Sequence, residues 1–243
     1  MSEHKVKLVT ASGLMRNCGH PRLLGKRRIR TASQLKALDR GNLFQDACWP
    51  FVLGKTAAPV PVNDSMVNKW AETFRQVWVH RPGVLVELPL GLSPVGRHVE
   101  VLEPRPHEYE AADGFSLLLT AGRADIAWTE RHGDLLIAVI LDVKTGRFAP
   151  ERPASNPQIW SLGLSFADRV GAQALRVGLY YARTGAFDWY PGADEFVRLD
   201  SEEAAQRWDD VTNLAMLDEE PRPGPWCDSC WEKNHCPEAV TAA

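Results

Sequence analysis

The sequence predicts an α/β fold in which helices flank a mixed central sheet. Two apolar runs, SLLLTAGRADIAWTE and DLLIAVILDVKTG, are separated by the turn-forming sequence RHGD at 131–134 and are typical of paired strands. Helical patterns precede and follow them, so the order of elements is helix, three strands, helix, strand, helix. The chain has 243 residues, of which 44% are hydrophobic, and no internal repeat, which favours one domain with a substantial core.

Two helical segments are predicted before the sheet. Residues 31–54 carry a partial helical stripe of apolar residues that Gly41 and Pro50 interrupt, which favours two short helices. The segment VNDSMVNKWAETFRQVWV has apolar residues at helical spacing and offers Asp64 or Ser65 as its N-cap. Together these segments define an N-terminal helical region over residues 1–82.

The predicted core of the sheet occupies residues 83–199. GVLVELPLGL begins it as a strand, whereas residues 102–114 are rich in proline and charge and favour a loop or a hairpin tip. After the two long strands, SNPQIWSLGLSFADRVG predicts a helix that is capped by Ser155 or Asn156. ALRVGLYYART then predicts a further strand.

Residues 200–243 combine a predicted helix with a cysteine knuckle. Asp200 precedes Glu203 by three residues, which is the spacing of a capping box, and we expect the helix to extend to residue 217. The cysteine motif follows this helix after a segment rich in proline. This part therefore closes the predicted domain.

The cysteines of the C-terminal motif have the spacing of metal ligands. PWCDSCWEKNHCPE separates Cys227, Cys230 and Cys236 by two and then five residues. This spacing lets the sulfurs face one metal or cluster, and a closed site requires four ligands. The fourth is either Cys18 or Cys48. Zinc and iron–sulfur centres both fit the pattern, and loose cysteines in an unstructured tail are the alternative.

The charge balance limits how this chain can contact nucleic acid. A formal net charge of −3 excludes a surface that is basic throughout, so such a contact requires a local basic patch. Residues 16–40 hold eight basic residues and one acid, Asp39. The basic residues are Arg16, Arg22, Lys26, Arg27, Arg28, Arg30, Lys36 and Arg40. For a charge run alone, a solvated helix face or loop is the commoner explanation.

The sequence carries no signal for export or membrane insertion. The first ten residues lack an apolar stretch of signal-peptide length, and the longest apolar runs, such as LLIAVIL at 135–141, are too short to span a bilayer. We therefore expect a cytoplasmic protein without a membrane partner. In that compartment the five cysteines are expected to be thiols or metal ligands rather than disulfides.

Acidic residues near strand ends form a second candidate site. ILDVKTG ends an apolar strand with Asp142 and Lys144, which leave the same face because side chains alternate along a strand. Asp125, in GRADIAW, lies on the strand that the RHGD turn pairs with this one, so a hairpin brings the two aspartates together. Two such carboxylates require a cation between them. The D-x-K triplet alone is equally well explained by a surface ion pair.

The combination of motifs resembles the RecB-like branch of the PD-(D/E)xK nuclease superfamily. GRADIAW, then ILDVKTG, then Gln158 at the start of a helix follow that family's order of G-x-x-D, D/E-x-K-T-G and glutamine. LVELPL is similar to the family's first core strand. Cys18, far upstream of three C-terminal cysteines, matches the iron–sulfur arrangement of the CRISPR-adaptation exonucleases and the AddB nuclease. The match extends over residues 12–237.

This resemblance implies a fold, an activity and a catalytic metal site. The sheet is expected to be of the restriction-endonuclease-like type. The activity is expected to be that of a metal-dependent DNA exonuclease on single-stranded ends, with partners in recombination, repair or CRISPR adaptation. Mg²⁺ or Mn²⁺ is expected at Asp125, Asp142 and the Val143 carbonyl, with Lys144 and Gln158 as further catalytic residues.

The resemblance also implies an iron–sulfur centre and a DNA-binding surface. The expected ligands of a 4Fe–4S cluster are Cys18, Cys227, Cys230 and Cys236, and zinc is the alternative at these residues. The expected DNA contacts are Arg22, Lys26, Arg27, Arg28 and Arg30.

Gln45 departs from the pattern of that family. The family has Arg-Gly followed after a few residues by a histidine that completes the metal site, whereas here Gln45 follows Arg40 and Gly41. An amide oxygen is a poorer ligand for manganese than imidazole, so we expect Gln45 to contribute a weak metal bond. The replacement also supports a second hypothesis, a catalytically weak DNA-binding or scaffold protein with a structural zinc or iron–sulfur site.

Two further residues have simpler explanations. Glu87 alternates with Val86 and Leu88, which favours the solvent face over a place at the metal site. Cys48 is expected to be a small packed side chain on the helix that carries Gln45.

Overall fold

The structure, a computed structural model, describes residues 9–10, 32–105, 108–146 and 152–216. The strands are β1 Val9–Thr10, β2 Leu85–Leu92, β3 His98–Val99, β4 Val101–Arg105, β5 Glu108–Ala111, β6 Thr120–His132, β7 Leu135–Lys144, β8 Ala174–Tyr181, β9 Ala186–Tyr190 and β10 Val197–Arg198. The helices are α1 Ala32–Val52, α2 Ser65–Val77, α3 Pro157–Val170 and α4 Glu202–Ala215.

Eight of these strands form one mixed sheet. Its spatial order is β10-β8-β7-β6-β2-β3, with β1 beside β6 and β9 beside β8. The pairing of β6 with β7 is antiparallel, and that of β7 with β8 is parallel. The predicted α/β class with a mixed central sheet is confirmed. The segment 102–114 was expected to be a loop or a hairpin tip, but it contributes most of β4 and all of β5, which pair as a separate antiparallel two-stranded sheet.

Helices cover both faces of the sheet. Successive residues of β7 point to opposite faces, with Ile140 in one apolar cluster and Val139 and Leu141 in the other. The cluster that contains Ile140 is closed by α3 and α4, and the other is closed by α1 and α2. Because β7 is buried on both faces, its sequence is a continuous apolar run rather than an alternating pattern.

The prediction of two short helices over residues 31–54 was wrong, because α1 is one helix of 21 residues. Pro50 lies in the last turn, where little helix follows the hydrogen bond that it removes. Gly41 costs about 1 kcal/mol relative to alanine, which the burial of Phe44 and Val52 offsets. Gly41 also lies close to another part of the chain, because a Cβ atom added there would be only 3.1 Å from Thr145 Oγ1.

The structure decides which residue caps each predicted helix. Asp64, rather than Ser65, accepts the N–H groups of Met66 and Val67 at the start of α2. Asn156, rather than Ser155, caps α3.

The capping box predicted from Asp200 was wrong. Ser201 is the N-cap of α4, and its hydroxyl accepts the N–H of Ala204 at 3.2 Å. The Asp200 carboxylate pairs with Arg198 at 2.8 Å instead. Among the described residues, no helix is both long enough and apolar enough to cross a bilayer.

Asn156→Ala should lower the free energy of unfolding by about 1–2 kcal/mol, since α3 loses its N-cap. Asn156 is buried, and its side-chain oxygen accepts the N–H groups of Gln158 at 3.0 Å and Ile159 at 3.3 Å. The matched control is Ser155→Ala, an exposed neighbour that should change stability by less than about 0.5 kcal/mol. Urea unfolding of both variants gives the comparison, and equal effects would contradict the assignment of the cap.

Candidate metal centre

The candidate centre lies where β6 and β7 separate. Their antiparallel pairing ends at Ile126 and Leu141, and the next residues in that register are Asp125 and Asp142. From Asp125 back to Thr120, β6 is no longer paired with β7 and lies instead between β2 and β1. Asp125 was expected near a strand end, but it lies inside a strand of 13 residues at the point where its partner strand departs. The gap between the two strands holds the carboxylates.

Groups of the strand β7 contact both aspartates. The backbone N–H of Val143 donates to Asp125 Oδ2 at 2.7 Å. Lys144 Nζ lies 3.1 Å from Asp142 Oδ2, so the two side chains leave the same face as the alternation predicted. The prediction that Asp125, Asp142 and Lys144 converge is therefore confirmed in geometry.

Two glutamine side chains reach the aspartates from helices on opposite faces of the sheet. Gln45 Nε2, from α1, donates to Asp125 Oδ1 at 3.3 Å. Gln158 Nε2, from the first turn of α3, donates to Asp142 Oδ1 at 3.3 Å. Each aspartate therefore receives one side-chain amide, and residues separated by more than a hundred positions in the chain meet at this gap.

The electrostatics of the gap favour a positive charge. Burial, and then the neighbouring Asp142 carboxylate, raise the pKa of Asp125 well above its ordinary value, although the Val143 N–H and Lys144 act in the opposite direction. Asp142 is 7% exposed, and its Oδ2 already has the Lys144 ammonium beside it at 3.1 Å. When both carboxylates are ionised, this one ammonium leaves a net negative charge in the gap, which a divalent cation would stabilise.

The donor set fits a hard divalent cation. Asp125 and Asp142 supply carboxylate oxygens, which Mg²⁺ and Mn²⁺ prefer. In an extended strand the N–H and C=O of one residue point to the same side, so the Val143 carbonyl is placed to join them. Within the described ranges, no group of three or more His, Cys, Asp or Glu side chains is arranged to hold a metal ion. A cation in this gap would therefore depend on the backbone oxygen and water as well.

Gln45, on α1, lies beside Asp125 at the candidate centre. It presents its NH₂ group to Asp125, whereas a metal bond requires the amide oxygen. A half-turn of the amide exchanges the two atoms, and the orientation of an amide is assigned from its hydrogen bonds. The position of Gln45 therefore agrees with a weak ligand, and its orientation here is that of a donor to Asp125.

Glu87 lies neither on an open solvent face nor directly in the gap. It has a φ of 51°, in the left-handed region, and lies on β2 between two residues that pair with Ile126 and Ala124. Its carboxylate accepts Trp49 Nε1 at 3.0 Å and pairs with Arg123 Nε at 2.7 Å. Its negative charge is close enough to contribute to the raised pKa of Asp125. Alternation alone could not reveal this, because the alternation breaks at Glu87.

Cys48 is a packed core residue, as predicted. Its side chain is fully buried among the aromatic residues of α1 and α2, and burial raises the pKa of its thiol. A metal ligand must be a thiolate, so this environment is unfavourable for a role as the fourth cysteine ligand.

Several predicted site residues lie outside the described residues. They are the cluster cysteines Cys18, Cys227, Cys230 and Cys236 and the DNA-binding residues Arg22, Lys26, Arg27, Arg28 and Arg30. Of the basic run, the structure describes the side chains of Lys36 and Arg40. Lys36 is exposed, and Arg40 Nε pairs with Asp64 Oδ2 at 2.8 Å. Arg40 therefore stabilises the start of α2.

Asp125→Asn should change the pH dependence of stability in metal-free protein. Because folding raises the pKa of Asp125, its stabilising contribution is present below the unfolded pKa of about 4 and is lost as pH rises through the folded-state pKa. In a chelator, the thermal midpoint of the wild-type protein should therefore fall more between about pH 4 and pH 8 than that of the variant, which retains an oxygen for the Val143 N–H.

At neutral pH, Mg²⁺ or Mn²⁺ should raise the midpoint of the wild-type protein but not that of Asp125→Asn. Asp134→Asn, in the exposed turn at the other end of β6 and β7, is the matched control and should behave as the wild type. If Asp125→Asn and the control gave the same pH profile and the same metal response, Asp125 would be neither the acid with the raised pKa nor a ligand of the cation.

Comparison with known proteins adds a distant structural likeness. No protein-family model matches the chain, and no curated protein matches it. A solved structure described as "Crystal structure of SSO0001" is similar at 14% identity with a TM-score of 0.32. The aligned part covers 63% of this chain and 60% of that one, so the chain spans less than two thirds of that protein's length. A likeness at this level carries no argument about function.

Proposed function

We propose that this protein is a metal-dependent DNA nuclease with a core of the restriction-endonuclease-like type, similar to the RecB-like branch of the PD-(D/E)xK superfamily. The observation that carries the proposal is the meeting of Asp125, Asp142, Lys144 and Gln158 in one gap of the sheet. These residues come from three motifs spread over positions 125–158. A surface ion pair would explain Asp142 with Lys144, but not the buried second aspartate beside them.

The residues of the gap have separate roles in phosphodiester cleavage. A divalent cation, Mg²⁺ or Mn²⁺, would supply Lewis acidity at this site. Asp125, Asp142 and the Val143 carbonyl bind and orient it. Lys144 orients the attacking water and stabilises the charge that develops on the phosphate. Gln158, which donates to Asp142 here, positions the nucleophile or the strand.

The substrate that we propose is DNA with single-stranded ends, bound through its phosphates. The basic run of residues 16–40 would supply contacts that do not depend on sequence and that weaken with salt. Partners in recombination, repair or CRISPR adaptation follow from the same resemblance.

A 4Fe–4S cluster, with zinc as the alternative, is proposed to join the two ends of the chain. Cys18 is its upstream ligand, and Cys227, Cys230 and Cys236 are the others. The burial of Cys48 supports this choice, because Cys48 is already packed inside the core between α1 and α2.

A catalytically weak DNA-binding or scaffold protein is the second candidate. The observation that favours it is the orientation of Gln45, whose NH₂ group donates to Asp125 where a stronger metal ligand would face the cation. In this case the protein would bind DNA with little cleavage at any concentration of Mg²⁺ or Mn²⁺.

Asp142→Asn and Lys144→Ala should each reduce cleavage of end-labelled single-stranded DNA by about a hundredfold or more, because the first removes a carboxylate that would hold the cation and the second removes the ammonium that acts on the reacting phosphate. The fold and the affinity for DNA should change little, since both side chains lie at the end of β7. Asp134→Asn, at the opposite end of the same strand pair, should cleave at the wild-type rate. Wild-type cleavage by either site variant would remove that residue from the mechanism, and a wild-type protein that binds without cleaving would favour the second candidate.

Cys18→Ser should yield protein of low solubility without absorbance near 400 nm after anaerobic purification, because the binding energy of a closed cysteine site is also folding energy. Cys48→Ser is the control and should keep the absorbance, although it places a hydroxyl in the core. If the two variants exchanged these properties, Cys48 would be the ligand. A colourless wild-type protein that contains zinc would exclude the iron–sulfur cluster.

A further inference from the structure

Glu87 stands at the same level of the sheet as the two aspartates of the candidate centre. Its two neighbours on β2 pair with the two neighbours of Asp125 on β6, so Glu87 lies opposite Asp125. The next position of the β6–β7 register places Asp142 on the other side of Asp125. In a regular antiparallel pair, opposite residues have Cβ atoms about 4.5–5.5 Å apart. Three carboxylates therefore follow one row across β2, β6 and β7.

Glu87 and Asp125 also contact the same helix. Gln45 donates to Asp125 at 3.3 Å, and Trp49 Nε1 donates to Glu87 at 3.0 Å. Both donors belong to α1 and are four residues apart, which places them on one face of the helix. Burial is the largest cause of the raised pKa of Asp125, and the charges of Asp142 and Glu87 add to it. The charge of Glu87 therefore acts at the candidate centre.

Arg123 offsets part of the negative charge of Glu87. Its Nε lies 2.7 Å from Glu87 Oε2, and its Nη1 lies 3.6 Å from Glu103 Oε2. The side chain of Arg123 is 41% exposed, whereas that of Glu87 is 26% exposed. Because water screens the more exposed charge more strongly, the arginine compensates for the glutamate only in part.

We propose that Glu87 strengthens the binding of the divalent cation through its charge, without being a ligand, and that Arg123 moderates this effect. The inference rests on the proposed function, since the cation is the one held by Asp125 and Asp142. The Glu87 carboxylate is turned to Trp49 and Arg123, and no described group of three His, Cys, Asp or Glu side chains is arranged to hold a metal ion. A charge stabilises a cation without touching it, because a Coulomb energy falls only as the inverse of the distance.

A purely structural role is the competing explanation. In that role Glu87 would only fasten α1 to β2 through Trp49, and Arg123 would only complete the ion pair. The loss of either charged partner would then lower stability, and any change in metal affinity would have the same sign in both variants. An electrostatic role predicts opposite signs, because Glu87 and Arg123 carry opposite charges.

The test measures the binding of Mn²⁺ in the absence of DNA, from the electron paramagnetic resonance signal of the free ion. The proteins are the wild type, Glu87→Gln, Arg123→Gln and the double variant. Glutamine keeps an oxygen that can accept the Trp49 indole N–H, so Glu87→Gln removes the charge and retains this contact. Asp142→Asn shows which part of the binding belongs to the candidate centre.

Glu130→Gln is the matched control. Glu130 also accepts a tryptophan indole, Trp128 Nε1 at 2.8 Å, and also pairs with an arginine, Arg176. It lies five residues from Asp125 along β6, roughly 17 Å in an extended strand, which exceeds the Debye length of about 8–10 Å. Thermal melts of all the proteins separate effects on stability from effects on binding.

Glu87→Gln should bind Mn²⁺ about tenfold more weakly, because the lost charge acts on a divalent ion through a medium less polar than water. Arg123→Gln should bind it about threefold more tightly, a smaller effect since this side chain is more exposed. The double variant should lie between them, about threefold weaker than the wild type, because the two effects oppose each other. Glu130→Gln should match the wild type. The Mn²⁺ concentration that gives half-maximal cleavage should shift in the same direction for each variant.

Wild-type affinity in Glu87→Gln, or weaker binding in both single variants, would overturn the inference and leave the metal centre of the proposed nuclease in place. If the wild-type protein bound no Mn²⁺, or if Asp142→Asn left the binding unchanged, the inference and the proposed centre would both be wrong.

Discussion

The electrostatic repulsion between the carboxylates of Asp125 and Asp142 is the interaction on which the rest of the candidate centre depends. Burial, and then the neighbouring Asp142 carboxylate, raise the pKa of Asp125 well above its ordinary value. The chain compensates only in part, with the Val143 N–H, the ammonium of Lys144 and two glutamine amides. The remaining negative charge of the carboxylates can be neutralised by either a proton or a divalent cation. Protonation of Asp125 and binding of a metal are thus linked equilibria of the same gap.

The gap exists because the sheet is irregular at this point. Along β2, Val86 belongs to the apolar cluster of α1 and α2, whereas Leu88 belongs to the opposite cluster, although regular alternation would put both on one face. Glu87, between them, takes the left-handed backbone that makes this switch, at a cost of roughly 1–3 kcal/mol. β6 shows the same switch between Ala124 and Ile126, on either side of Asp125. The two strands therefore change faces together, at the level where β7 separates from β6.

Helices on both faces hold the side chains that complete the centre. α1 is fixed by its buried residues and carries Gln45 to Asp125, while α3 begins at the Asn156 cap and carries Gln158 to Asp142. Functional groups on rigid, packed elements keep their geometry better than groups on loops. α1 also lies close to the chain just after β7, since a Cβ atom added at Gly41 would be 3.1 Å from Thr145 Oγ1.

The sequence by itself determined the two long central strands, the helices α2, α3 and α4, and the pairing of β6 with β7. The RHGD turn between two apolar runs dictates an antiparallel hairpin, and hairpin register alone places Asp125 opposite Asp142. The spacing of Asp142 and Lys144 puts them on one face for an equally local reason. The short edge strands β9 and β10 and the single helix α1 were not predictable in this way, because long-range packing outweighs local propensity there.

Only the tertiary structure decided which distant residues join this hairpin. Gln45 and Gln158 reach it from helices on opposite faces of the sheet. The place of Glu87 was also undecidable from sequence, since its left-handed backbone breaks the alternation that sequence arguments assume. Local patterns fix neighbours along a strand or across a turn. The position of a helix over a sheet depends on the shapes of two apolar surfaces that meet only after the chain has folded.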